Sequence, residues 1–147
     1  MEIIVGMLLF GMVVLTVTAT ISPLTMAYRR ANDLAEYNQI LDTIGNRITS
    51  DMAKARQNGI THGENTLTIT TNSGTITYTI DTGRLQRNGS QVYQQEFYRG
   101  KQIAFTVDGT SSPSFNLNLI VSTPNATGTH TGSTITRTYT VRPLLMS

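Results

Sequence analysis

The sequence contains no cysteine and no tryptophan, and only two of its 147 residues are histidines. The missing thiols exclude a disulfide framework and every metal site built on thiolates. Charged residues are also scarce, at 14% of the chain, and the formal net charge is only +2. Because nucleic-acid binding needs Lys and Arg clustered on one face, the scattered cations of this chain indicate no direct nucleic-acid site.

Motifs of catalysis and cofactor binding are missing as well. The chain has no glycine-rich phosphate loop, no cluster of His with carboxylates and no EF-hand spacing. Asp and Gly at 81–83 and 108–109 could supply calcium ligands, but their preference for tight turns accounts for both segments. His62 and His130 lie far apart in the sequence. We therefore predict a protein that is not an enzyme, with no metal and no cofactor.

Apolar residues crowd the N-terminal segment, and no charged residue lies between Ile3 and Tyr28. Its Thr and Ser hydroxyls can bond to the carbonyls of the same helix, so they are tolerated in lipid. The segment is as long as a membrane helix requires, and Arg29 and Arg30 mark its interface. We predict that residues 1–28 form a helix that spans a membrane or packs in a filament core.

The charges around this segment raise a question of topology. Arg29 and Arg30 follow it, and the positive-inside rule alone would keep the rest of the chain in the cytoplasm. A basic leader upstream of residue 1 would reconcile this rule with an exported domain. Glu2, at the head of the apolar run, either interacts with the helix dipole at the interface or pairs with a cation from another chain. The residues alone favour the dipole interpretation.

An amphipathic pattern follows Arg30, with apolar residues at spacings of three and four. No proline interrupts residues 24–57, and the Asn-Gly pair at 58–59 is a suitable helix stop. We therefore predict that the helix continues over residues 29–58 and packs one stripe on a sheet. The stripe consists of Leu34, Tyr37, Leu41, Ile44, Ile48 and Met52.

Pro23 lies inside this predicted helix. It removes one backbone hydrogen bond and is expected to kink or locally unwind the helix. Thr20 and Ser22 are the candidates to satisfy the carbonyl that Pro23 leaves without a partner.

From Asn65 onward the hydrophobic period changes to two, which is typical of β-strands. Turn sequences at 72–74, 81–83, 88–89 and 108–109 separate the alternating segments, and the Asn-Gly pair at 88–89 is a strong hairpin signal. Arg137 shares a face with apolar residues of the last segment and is expected at a sheet edge. We predict an α+β fold in which the distal half of a long N-terminal helix packs on an antiparallel β meander, with residues 59–147 forming a Thr-rich β domain.

The first residues also carry a family resemblance. Met-Glu-Ile-Ile-Val followed by Gly-Met-Leu-Leu-Phe-Gly resembles the start of type IV pilins and pseudopilins. In that family a prepilin peptidase removes a short basic leader, the new N-terminal residue is methylated, and a glutamate lies close behind it. The resemblance implies that Glu2 is this glutamate and that the sequence begins a few residues inside the mature chain. It thereby favours pairing of Glu2 with a cation from another chain.

The resemblance further implies a role in assembly. Segments 76–81, 84–89 and 140–143 look like minor (J- or W-type) subunits, and Pro23 lies later than the proline typical of major pilins. The implied function is a minor pilin or pseudopilin of a filament that serves type II secretion, DNA uptake or pili. Glu2 would pair with the N-terminal ammonium of a neighbouring subunit, and Gly6 and Gly11 would allow close helix packing.

The implied partners are other subunits, the cytoplasmic membrane and, for the precursor, prepilin peptidase. The β domain would lie outside the cytoplasm, and after assembly it would belong to a periplasmic or cell-surface filament. The alternative is a single-pass, membrane-anchored binding or sensor domain, also outside the cytoplasm, that forms no filament.

Overall fold

The computed structural model describes residues 2–111, 114–124 and 133–144, so His130 lies outside the described residues. The chain divides into two compact units, Met1–Glu36 and Tyr37–Ser147. The first unit is part of one long helix, α1 (Glu2–Ala53), whose last turns belong to the second unit. A long N-terminal helix followed by antiparallel sheets confirms the predicted α+β fold.

The second unit contains eight strands and a short helix within the described ranges. In chain order these elements are β1 (Ala55–Gly63), β2 (Thr66–Thr71), β3 (Gly74–Asp81), β4 (Arg84–Arg87), β5 (Ser90–Gln91), α2 (Gln95–Tyr98), β6 (Gln102–Ser111), β7 (Ser114–Ser122) and β8 (Thr134–Val141). They form two antiparallel meanders, β1 to β5 and β6 to β8, rather than one.

Two-residue turns at both ends of β4 connect it to its neighbours. Thr82 and Gly83 have φ of 49° and 74°, and Asn88 and Gly89 have φ of 53° and 78°. Two consecutive positive φ values suit a tight hairpin, because the backbone twist then matches that of the flanking strands. The hairpins predicted at 81–83 and 88–89 are therefore present.

The long helix ends at Ala53, earlier than the predicted boundary at 58. Asn58 does adopt a left-handed conformation, with φ of 57°, but it does so inside β1, where the pairing with β2 shifts register. The backbone from Ala55 onward gains partners in β2, and the carbonyl of Ala53 accepts a hydrogen bond of 2.9 Å from the amide of Leu144. Sheet pairing thus displaces the last predicted helical turn.

The turn predicted at Asp108 and Gly109 is wrong. Both residues lie inside β6, where the pairing with β7 shifts register between Asp108 and Ser111. A Cβ on Gly109 would lie 2.7 Å from the ring of Phe115, so this irregular stretch accommodates the aromatic ring beside a glycine. A local Asp-Gly signal does not distinguish a turn from such a strand irregularity.

The second unit is organised around one hydrophobic core. It combines the last turns of α1 with the inner faces of both sheets. The largest of its fully buried side chains are Ile40, Leu41, Ile44, Ile48, Met52, Leu67, Ile69, Tyr78, Leu85, Tyr98, Phe105 and Leu117.

Candidate functional site on the long helix

The first unit presents an apolar helix surface that no other part of that unit covers. None of the side chains from Ile3 to Ala35 is buried, and even Val14 is 46% exposed. An α-helix of residues 3–28 is roughly 39 Å long, which exceeds the hydrocarbon core of a bilayer at about 30 Å. This helix is therefore long and apolar enough to cross a membrane.

The threonines of this apolar segment satisfy their hydroxyls within the helix. Thr18 donates to the carbonyl of Val14 at 2.8 Å, and Thr16 and Thr25 make equivalent bonds one turn back. Thr20 donates to the carbonyl of Thr16 at 2.5 Å. It does not bond to the carbonyl of Ala19, which Pro23 leaves without a helical partner, so its predicted role there is wrong.

The predicted assembly residues lie on this same segment. Glu2 is the first residue of α1, but its side chain lies outside the described part of the chain. A Cβ added at Gly6 or Gly11 would meet no atom within 4 Å, so the space beside both glycines is open. Pro23 lies inside α1, which continues on both sides of it.

Five of the six stripe residues belong to the core of the second unit. Tyr37, Leu41, Ile44, Ile48 and Met52 are each at most 3% exposed. Leu34 is 52% exposed, so its assignment to the packing stripe is wrong. Leu34 lies in the first unit, one turn before the core begins, and Ile40 is a core residue that the predicted stripe did not include.

Gly45 is a packing residue that the stripe analysis missed. A Cβ at Gly45 would overlap the ring of Tyr139 in β8, and the hydroxyl of Tyr139 donates to the carbonyl of Leu41 at 2.9 Å. Burial raises the pKa of the Tyr139 hydroxyl. A glycine inside a helix costs about 1 kcal/mol relative to alanine, so its presence within the stripe was a signal of close packing.

Asp51 links the end of α1 to β3 and β4. Its carboxylate accepts a hydrogen bond of 2.7 Å from the hydroxyl of Tyr78 and another of 3.3 Å from Arg87. Burial, strengthened by the hydrogen bond to Asp51, raises the pKa of Tyr78 to about 12. The helical pattern alone places Asp51 on the polar side, but its side chain is only 15% exposed.

Arg137 makes a second polar link, between α1 and β8. As predicted, it lies in an edge strand, since β8 is the last strand of its sheet within the described residues. Its guanidinium forms an ion pair with Asp42 and donates to the side-chain oxygen of Asn38 at 2.8 Å. Together with Asp51 and Gly45, these contacts join the last turns of α1 to both sheets.

A comparison of the chain with known protein families, with curated proteins and with solved structures finds no match in any of the three. Function is therefore inferred from the sequence pattern and from the geometry of the chain itself.

Proposed function

We propose that this chain is a minor pilin or pseudopilin, a structural subunit of a type IV pilus-like filament that is assembled from the cytoplasmic membrane. The observation that supports this most directly is the exposed apolar surface of residues 3–28, on a helix whose last turns are core residues of a folded domain. A helix that is apolar on all sides needs lipid or other helices around it. A filament subunit uses both environments, lipid before assembly and neighbouring helices afterwards.

Glu2 and the two glycines have defined roles in this proposal. In the filament, Glu2 pairs with the N-terminal ammonium of a neighbouring subunit and thereby sets the axial register. Removing one partner of a buried ion pair costs about 3–5 kcal/mol, so the pair selects the correctly placed subunit. The open space beside Gly6 and Gly11 lets a neighbouring backbone approach closely.

The distal part of α1 connects the β domain to the apolar segment. Residues 37–53 contribute to the core, and Asp51 and Arg137 add polar links to the two sheets. A displacement of the helix out of the membrane is therefore passed on to the domain. In this proposal the domain lies outside the cytoplasm from the start and becomes part of the filament surface.

The alternative is a single-pass, membrane-anchored binding or sensor domain that forms no filament. The exposed apolar helix fits this function as well. In a plain anchor, Glu2 would only interact with the helix dipole at the interface, and it would take no part in assembly. Glu2 is therefore the residue on which the two functions make different predictions.

The deciding experiment follows the chain in cells that make it naturally. Wild type, Glu2→Gln and the matched control Asp33→Asn, an exposed carboxylate on the same helix, are compared in filaments sheared from the cells and in membranes. We expect wild type and Asp33→Asn in the filament fraction, and Glu2→Gln confined to the membrane with a protease-resistant β domain. Equal incorporation of Glu2→Gln, or the absence of wild type from filaments, would contradict the proposal.

A further inference from the structure

A small polar cleft lies in the second unit, where the β3–β4 turn meets α2 and the start of β6. Its volume is about 110 Å³, and its lining includes Arg84, Gln95, Tyr98 and Gln102. No acidic side chain is among the described residues that line it. A cavity of roughly 10–15 Å³ already holds one water molecule, so this cleft has room for a small polar group.

The walls of this cleft are held in place by hydrogen bonds and by close packing. The amide of Ile103 donates to the carbonyl of Gly83 at 2.9 Å, which joins β6 to the β3–β4 turn. A Cβ on Gly83 would lie 2.6 Å from the Cβ of Gln102, so the turn packs directly against this side chain. On the opposite wall, the buried Tyr98 accepts a hydrogen bond of 3.0 Å from the amide of Leu85.

Arg84 brings a positive charge to the cleft and forms no ion pair within 4 Å with the described residues. Arg87 and Arg137 both form ion pairs with aspartates, but Arg84 has no such contact with the described residues. Asp81, its neighbour across the turn, accepts a hydrogen bond of 3.1 Å from Gln86 instead. Arg84 is half-buried, and its guanidinium carries N–H donors that a ligand in the cleft could use.

Two amide side chains and a second cation complete the lining. Gln95 and Gln102 make no side-chain hydrogen bond with the described part of the chain, so their amides are available as donors. Lys101 also lines the cleft, with its ammonium 5.0 Å from the ring centroid of Tyr37.

We propose that this cleft binds one oxyanion group, a phosphate or a carboxylate, through the guanidinium of Arg84. The planar fork of Arg matches two oxygens of either group, and Gln95 and Gln102 donate to the remaining lone pairs. The group comes either from free phosphate or from a carboxylate on a second copy of this chain. Binding at this cleft does not depend on the filament function proposed above.

The test uses the isotope-labelled full chain in neutral detergent micelles, titrated with sodium phosphate or with sodium chloride at equal ionic strength. We expect phosphate alone to give saturable shifts of the backbone amide signals of Gly83, Leu85 and Gln102. Arg84→Gln should weaken phosphate binding by roughly tenfold to a hundredfold, because it removes a charge-assisted hydrogen-bond donor. Arg142→Gln removes the same charge at an exposed site outside the cleft and should leave binding unchanged.

Arg84→Lys is the second variant, since it keeps the charge but loses the planar fork, and it should bind phosphate with intermediate affinity. The proposal would be overturned if chloride gave the same shifts of the amide signals as phosphate. It would also be overturned if Arg84→Gln and Arg142→Gln lost the same amount of phosphate affinity. Shifts of the same signals that grow with protein concentration and are reversed by phosphate would identify a carboxylate of a second copy. Phosphate binding without this concentration dependence would identify the free anion.

Discussion

Replacing Tyr78 by Phe tests how strongly the end of α1 is held to the sheet. The substitution keeps the fully buried ring but removes the hydroxyl that donates to Asp51 at 2.7 Å. Asp51 retains Arg87 at 3.3 Å and Lys54 at 3.9 Å, so its charge is not left alone. A hydrogen bond to a charged group contributes about 1.5–3 kcal/mol. We expect the free energy of unfolding at neutral pH to fall by this amount.

The pH dependence of stability tests the same hydroxyl group, whose pKa is raised first by burial and then by the hydrogen bond to Asp51. The pKa of Tyr78 is raised from 10.0 to about 12 in the folded chain, so between these values the unfolded chain loses its proton first. The free energy of unfolding therefore decreases as pH rises from about 10 to about 12. The stabilising contribution of protonated Tyr78 is fully present below pH 10. The pKa difference corresponds to at most roughly 2.7 kcal/mol. The stabilities of wild type and Tyr78→Phe should converge over this range.

The assay is denaturant unfolding of the full chain in detergent micelles, followed by near-ultraviolet circular dichroism at several pH values. Absorbance of tyrosinate provides an independent readout. Burial raises the pKa of Tyr78, Tyr98 and Tyr139, so these three of the six tyrosines should ionise late in wild type, and the variant should lack the contribution of Tyr78. Tyr28→Phe is the matched control, since Tyr28 is 74% exposed. Stability of Tyr78→Phe within about 0.5 kcal/mol of wild type at neutral pH, or parallel pH curves, would refute the reasoning.

Two further experiments test the remaining contacts between α1 and β8. Gly45→Ala should lower the thermal unfolding temperature, because overlap with the Tyr139 ring costs about 1–3 kcal/mol and outweighs the gain in helix propensity of about 1 kcal/mol. Adding Tyr139→Leu should remove this penalty. A Gly45→Ala variant that is more stable than wild type would contradict the prediction. A double-mutant cycle of Asp42→Ala and Arg137→Ala, measured by urea unfolding, should give a coupling free energy of at most about 1 kcal/mol. The reason is that the two side chains are 53% and 37% exposed. A larger coupling free energy would show that the pair is shielded from solvent.

Local sequence pattern was sufficient where one periodicity extends over many residues. The spacing of three and four from Tyr37 to Met52 predicts a helix with one buried face, and the structure buries these residues. Turn chemistry was equally informative at Asn88 and Gly89, where the residues themselves favour positive φ. In both cases the information lies within a few neighbouring residues, so no distant contact is needed to interpret it.

Other features depended on residues that are distant in the chain. Asn58 favours a left-handed conformation, but whether that conformation ends a helix or irregularly bends a strand depends on the backbone partners that β2 offers. Asp51 lies on the side that the helical pattern marks as polar, yet Tyr78 and Arg87 enclose it from strands much later in the sequence. The cleft beside Arg84 likewise exists because a turn, a short helix and the start of β6 meet there.

The order of residues thus establishes an apolar helix, an amphipathic continuation and alternating strands, since hydrophobic periodicity is a property of the local chain. The position at which α1 stops, the division of the strands into two sheets and the partners of Asp51, Arg137 and Gly45 were settled by folding. Each of these features depends on which backbone groups and side chains contact each other across long sequence separations. Hydrophobic periodicity contains no information about these distant contacts.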